Sequence, residues 1–402
     1  MVESLTSYLA RLAEEHFVTV GTLISQVIAK ELGKNYIIEC SKKCGSRLYE
    51  NASTLNGLGV LTEEFIRVIS NLTGRDVSFL TLQSWRNICP DRNILRSAKA
   101  WCPNCLEDWK SKQLPIYEPL IWCFKDIRLC KTHNTLLITR CPSCDLEISL
   151  LNRMSRSGYC SHCNRWLGAA DNPKMESDDR PWDHFVISNI KGLLINQPYP
   201  NITANNINDF IDALIKETGG IIGFSKYFGI AKSMVSEWHR GLHRPSFGML
   251  LKICYAANIH ILPALSKEQS INLINKPAYI SPKKKAVRRK IDWGKVEEIL
   301  IHKLNNADSP SVKAIAQEIN IDRRLLYSHF PGLCKELASN YSSRIQMMKD
   351  KRIQEGFAEV SKAVINVRNV GATLNRGNIE KLLPPTVSLR EKPFSDLWKS
   401  LR

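Results

Sequence analysis

Seven cysteines and one histidine between positions 102 and 163 fall into four pairs, each with two residues between its members, and this feature constrains the fold more than any other. The pairs are Cys102-x2-Cys105, Cys130-x2-His133, Cys141-x2-Cys144 and Cys160-x2-Cys163. A gap of two lets one tight turn aim both side chains at a single tetrahedral ion. Fifteen residues separate Cys144 from Cys160, inside the range of structural zinc sites. Thiolate and imidazole suit Zn²⁺. Two sets of four donors leave no open coordination position, so the reading is two structural Zn²⁺ ions rather than a catalytic one. Sequential pairing is preferred, with Cys102, Cys105, Cys130 and His133 in one set and Cys141, Cys144, Cys160 and Cys163 in the other. An interleaved arrangement stays open. Eight of the 13 cysteines lie in this stretch, six of them as C-x-x-C pairs, which points to metal in a reducing compartment rather than to disulfides. Cys123 has no pairing partner, nor do Cys40, Cys44, Cys89, Cys254 and Cys334. Cys40-x3-Cys44 has the look of a half-site, against the plainer reading of ordinary cysteines.

Charge points to the partner. Fifty-six Lys+Arg against 39 Asp+Glu leave +17, an excess that suits a polyanion. From Lys283 to Arg402 there are 24 bases and 13 acids, so +11 of the total falls in the last 120 residues. The run from Lys283 to Lys290 holds six bases: Lys283, Lys284, Lys285, Arg288, Arg289 and Lys290. Glu3, Glu14 and Glu15 break the basic-then-apolar order of a signal peptide, and no apolar run reaches the 18 or so residues of a membrane span. The expectation is a soluble, cytoplasmic chain without a membrane partner.

The periodicity is mainly helical, and the chain reads as a mainly α, multi-domain protein. Residues 1–98 form an N-terminal helical domain. Leu5, Tyr8, Leu9, Leu12 and Ala13 share one helix face, and Phe65, Ile66, Ile69 and Leu72 another before Gly74 stops the helix. Residues 99–170 hold the cysteine pairs as a small, ribbon-like α+β region with short hairpins. A polar linker, Asp171 to Pro181, opens a helical domain over 171–275. The basic run closes a linker at 276–290, followed by helical units at 291–345 and 346–402.

Three segments read as helix-turn-helix units, whose second helix enters the major groove. In Phe224–Trp238, Ser225 lets the helices approach, Gly229 makes the turn, and Phe224, Phe228, Ile230, Val235 and Trp238 lock the pair. Gly241 and Pro245-Ser246 then close the second helix and start another. Lys232, Ser233, Ser236, Glu237, His239 and Arg240 face outward toward base edges or phosphate. In Val312–Phe330, Ile315, Ala316 and Ile319 face inward, Asn320 sits at the turn, Asp322 caps the second helix, and Arg323, Arg324, Tyr327 and Ser328 are presented to DNA. Around Asn369–Leu383, Thr373 opens a weaker third candidate carrying Asn375, Arg376 and Asn378, for which a plain amphipathic helix is the competing reading.

These features coincide in one family. Glu3-Ser4-Leu5-Thr6-Ser7-Tyr8-Leu9-Ala10-Arg11-Leu12-Ala13 resembles the opening helix of TniQ/TnsD proteins. Trp101-Cys102-Pro103-Asn104-Cys105-Leu106, Tyr117, Trp122-Cys123-Phe124, Cys130-x2-His133 and Leu136 resemble its zinc-finger core. His329-Phe330-Pro331-Gly332-Leu333-Cys334 with Tyr341 is similar to the C-terminal helix-turn-helix of longer members. The resemblance spans residues 3–168 and, less specifically, the tail. It implies a non-enzymatic adaptor that marks an insertion site on double-stranded DNA and recruits an AAA+ ATPase, which brings the transposase. Long members read their site directly, whereas short ones sit on a CRISPR effector complex whose guide RNA chooses it. The basic helical tail favours direct reading.

An enzyme and a stand-alone transcription regulator are the competing classes. The chain has no Walker-type phosphate loop, no H-E-x-x-H and no nucleophile elbow. A regulator accounts for the helix-turn-helix units but not for the first 170 residues.

Overall fold

The computed structural model describes residues 1–42, 47–90, 92–168, 181–199, 201–266, 273, 291–305, 310–384 and 386–402. Cys44, the linker residues 171–180 and the basic run Lys283–Lys290 lie outside them. The architecture is mainly helical, in two compact units, Met1–Pro282 and Lys283–Arg402.

The first unit starts with α1, Leu5–Glu15. Ser4 caps it by accepting from the Ser7 amide, and Leu5, Leu9, Ala10 and Ala13 turn inward, as their spacing predicts. Short helical segments lead to α2, Val60–Thr73, which Gly74 ends in the left-handed conformation that glycine adopts without penalty. The inward stripe of α2 is Phe65, Val68 and Ile69. Leu72, assigned to that stripe from sequence, is 48% exposed instead. It lies three residues beyond Ile69 in the last turn of the helix, where no neighbouring element covers it.

α3, Pro103–Ser111, carries Cys105. Beyond it β1, Leu129–Cys130, pairs antiparallel with β2, Thr135–Leu136. The extended residues before α1 run beside 118–120, where the Ser4 amide donates to the Glu118 carbonyl at 3.0 Å and the Leu120 amide to the Val2 carbonyl at 2.9 Å. Lys99 and Glu118 form a buried ion pair beneath this crossing.

Six further helices follow: α4 (Pro181–Ile195), α5 (Ala204–Glu217), α6 (Ile221–Phe228), α7 (Lys232–His239), α8 (Phe247–Ala256) and a short last one, Ile261–Ser266. The expected boundaries at 98/99 and 170/171 do not separate cores. One hydrophobic core runs from Leu5 to Leu265. Trp85, Phe124 and Phe247, one from each expected domain, meet with ring centroids 5.4–6.0 Å apart. Arg128 reaches Asp183 at 3.2 Å, and Arg244 donates to the Arg86 carbonyl at 2.9 Å.

The second unit holds two smaller cores. α9 (Trp293–Asn305), α10 (Val312–Glu318) and α11 (Arg323–His329) enclose one, with Leu300, Ile315, Leu326 and Leu337 fully buried. α12, Pro331–Asn369, then runs for 39 residues through the expected 345/346 boundary. Its second half packs against α13 (Arg376–Leu382) and α14 (Lys392–Leu401) around Val360, Ile379 and Phe394. Gly356 is needed here, because a Cβ would sit 2.4 Å from the Phe394 ring.

Among the described residues no helix is long and apolar enough to cross a membrane.

Candidate metal centres and nucleic-acid interface

The fold gathers the eight donors into two groups of four, Cys102, Cys105, Cys130 and His133, and then Cys141, Cys144, Cys160 and Cys163. This is the sequential pairing, and the interleaved one is not formed. In the first group Cys102 Sγ and Cys105 Sγ lie 3.5 and 3.3 Å from His133 Nδ1, and Cys105 Sγ lies 3.5 Å from Cys130 Sγ. In the second, Cys141 to Cys163 and Cys144 to Cys160 are 3.7 and 3.8 Å apart. A tetrahedron with metal–sulfur bonds near 2.3 Å has edges of about 3.8 Å, slightly less to nitrogen. Both groups therefore fit a four-coordinate ion.

Three of the four pairs share one turn. The residue after the second donor is left-handed: Asn134, Asp145 and Asn164, at φ 51°, 51° and 55°. Its amide returns to the carbonyl of the first donor, Asn134 to Cys130, Asp145 to Cys141 and Asn164 to Cys160, at 2.8, 2.8 and 2.9 Å. Asn and Asp tolerate this conformation better than other side chains. The fourth pair is held differently: Cys102 caps α3 and Pro103 occupies its first turn, so Cys105 follows on the helix itself.

The thiols of each group lie close enough to share protons. Hydrogen bonding from Cys105 lowers Cys102 to about 2, and bonding from Cys144 lowers Cys163 to about 2. The same bonds, with burial, push Cys105 and Cys144 up. A bound ion lets all the sulfurs be thiolates together.

His133 presents Nδ1 to the sulfurs and holds Asp108 Oδ2 on Nε2 at 3.1 Å, which orients the ring as a ligand. Sequence reading missed Asp108, although its place one helical turn after Cys105 is the available signal. It also missed Asn134, Asp145 and Asn164, which recur at one offset from the pairs. Cys123 joins neither group. It is buried, burial pushes its thiol up to about 12, and the Asn56 amide donates to its sulfur at 3.5 Å.

The first helix-turn-helix comprises α6 and α7, braced by α5. Gly229 is left-handed, Ser225 Oγ donates to the Ile230 carbonyl at 2.6 Å, and Val235 and Trp238 are buried. Gly241 is again left-handed and Ser246 caps α8. Lys232, Ser233 and Arg240 are exposed, while Ser236 and Glu237 are half-buried. His239, also exposed, pairs through Nδ1 with Asp212 at 2.6 Å, so its ring is already held by α5.

The second, α10 with α11, repeats that turn at the same offsets. Asn320 takes the left-handed place of Gly229 at φ 54°, and the Ile321 amide returns to Ala316 as that of Ile230 returns to Ser225. Asp322 caps α11 by accepting from the Arg324 amide at 2.7 Å. Leu326 stands where Val235 does, fully buried, and Arg323, Arg324, Tyr327 and Ser328 are exposed. Trp293 stacks on His329, centroids 3.6 Å apart.

The third candidate is built otherwise. Asn375, not Thr373, caps α13, its side chain accepting from the Asn378 amide at 2.8 Å. Its carboxamide oxygen satisfies the open amide better than Thr373, two residues too early. Arg376 is half-buried within 4.0 Å of Glu380, and burial lowers its pKa. Residues 383–391 separate α13 from α14, so there is no tight turn.

The family comparison fits this geometry. Comparison with curated proteins finds no match. A family model described as TniQ matches residues 1–137, covering α1 to the first metal group, so this N-terminal third of the chain is similar to that family.

Proposed function

We propose that this protein is a target-selecting adaptor for transposition. Its TniQ domain, held by two structural Zn²⁺ ions, recruits an AAA+ ATPase and through it the transposase. Its helix-turn-helix units read double-stranded DNA directly. The observation that carries this reading is the union, in one +17 chain, of a TniQ match over residues 1–137 with two turns of the same register, each followed by an exposed basic helix start.

Lys232, Ser233 and Arg240 of α7 and Arg323, Arg324, Tyr327 and Ser328 of α11 are assigned to the duplex, with Lys283–Lys290 adding phosphate contacts. Ser236 and Glu237 flank that surface. His239, Asn375 and Arg376 are already engaged within the chain and receive no base contact. The ions act as scaffold: full donor sets stabilise the turns and leave no position for a reacting water. The chain therefore marks a site and leaves strand chemistry to its partner.

The test is duplex selection with the purified chain. Enrichment of one sequence, binding that weakens steeply with salt, intact duplex after incubation with Mg²⁺, and capture of the ATPase by residues 1–137 in the full chain support the proposal. Absence of duplex binding at low salt, or reproducible cleavage, overturns it. Uniformly weaker binding with a flatter salt dependence and unchanged site preference on neutralising Lys283–Lys290 separates phosphate from base contacts.

A further inference from the structure

α12 joins the two cores of the second unit. Its first turns pack on one through Cys334 and Leu337, and its last turns on the other through Val360, Ala363, Val364 and Val367. Between them every residue from Ile345 to Lys351 is exposed, with Met347 at 72% and Met348 at 61%. A helix bare on all sides in mid-span is costly unless it bridges two bodies. No glycine or proline occurs between Leu333 and Glu355, so the span has no proline or glycine to break it. Gln346 Nε2 donates to Asp350 Oδ1 at 2.8 Å, and Lys351 approaches Glu355 at 4.0 Å, both one helical turn apart.

The spacing of the two packed stretches suits a duplex. Their middles lie near Leu337 and Val360, 23 positions apart, about 35 Å at 1.5 Å per residue. One turn of B-DNA is about 34–36 Å. At 3.6 residues per turn the two sets of buried positions leave the helix in directions roughly 100° apart, so both modules occupy the same half of the rod. Charge agrees. The bare span carries Lys349 and Lys351 against Asp350. From Ile353 to Arg402 there are eight Lys+Arg and five Asp+Glu. Three of those acids are engaged internally, Glu355 with Lys351, Glu380 on the Leu389 amide at 2.9 Å and Glu391 on Arg352. Lys362, Lys381, Lys392 and Lys399 are exposed.

We infer that α12 is a spacer that sets two duplex-contacting modules, the α10–α11 helix-turn-helix and the α13–α14 module, one helical turn of DNA apart. This rests on the DNA-binding reading above and adds a distance to it.

Hydroxyl-radical footprinting of the full chain on its preferred duplex tests the distance. The second unit should protect two patches about one turn apart. Inserting six turns of helix, about 22 residues, after Met348 lengthens the rod by about 33 Å and nearly keeps its face. One patch should then move about ten base pairs outward at 3.4 Å each, one further turn of duplex. Affinity for the original duplex should fall roughly tenfold, by loss of simultaneous engagement, and recover on a duplex with about ten base pairs added between the two patches. Lys381→Glu with Lys392→Glu, at exposed positions that leave the core intact, should erase only the distal patch. A single patch, or a pair whose separation ignores the insertion, overturns the spacer while leaving DNA binding in place. A chain that binds no duplex overturns both readings.

Discussion

The two helix-turn-helix units share their turn and differ in what they stand on. Gly229 and Asn320 occupy the same left-handed place, Val235 and Leu326 the same buried one, and Lys232 and Arg323 both open the second helix. The first unit is set into a core running from Leu5 to Leu265 that includes both metal groups. The second closes its own core with eight buried residues at one end of a long helix. Local geometry is thus nearly independent of the support beneath it: a turn needs one residue that tolerates positive φ and one apolar side chain below, whereas stability comes from the area buried around it.

The largest effect that could break this comparison comes from the metal. Cys105→Ser, or chelation, removes a site whose binding free energy in small zinc domains is about 10–16 kcal/mol. Amide hydrogen exchange on the full chain should then rise across residues 1–266, the first helix-turn-helix included, and stay unchanged over 310–337. Equal loosening of both units would show that the second is not an independent support. Next in size, Leu326→Ala costs about 2–5 kcal/mol and should melt the small core outright. Val235→Ala removes about two methyl groups, about 1.5 kcal/mol before any cavity cost, and should lower protection only locally. Smaller again are the contacts to DNA. Arg323→Ala and Lys232→Ala should each cost about 1–3 kcal/mol of duplex binding if they touch bases, and should lower the salt slope by about one if they touch phosphate. A variant that changes neither affinity nor slope removes that side chain from the interface. The finest comparison is the turn itself. Gly229→Ala and Asn320→Ala should both lose about 1–2 kcal/mol, and Asn320→Gly should lose nothing. Unequal penalties, read by denaturant unfolding, would contradict the shared geometry.

How much of this was legible in the sequence follows from the range of the interactions. The metal donors were, because a gap of two residues is a local geometric demand that cysteine and histidine meet in few other ways. So were both turns and the caps Ser246 and Asp322, where one residue satisfies one backbone group. The core boundaries were not. Trp85, Phe124 and Phe247 look like members of three domains until the fold brings their rings within 6.0 Å, and sequence holds no record of such distant contacts. Asn375 was taken for an exposed contact because a cap and a solvated polar residue look alike until the first open amide is located. Leu72 fitted the helical period and still faces outward, since periodicity gives a face but not where its covering ends. Asp108 was hidden for a related reason: a carboxylate beside a ligand has no pattern until the ligand ring has a direction.

The scaffold is tested most directly by counting metal in the intact chain and in two single variants. Elemental analysis should find two zinc ions per chain, one in Cys105→Ser and one in Cys144→Ser, because each change disables one group of four. A folded chain with no metal, or a single substitution that leaves both ions bound, would contradict the account.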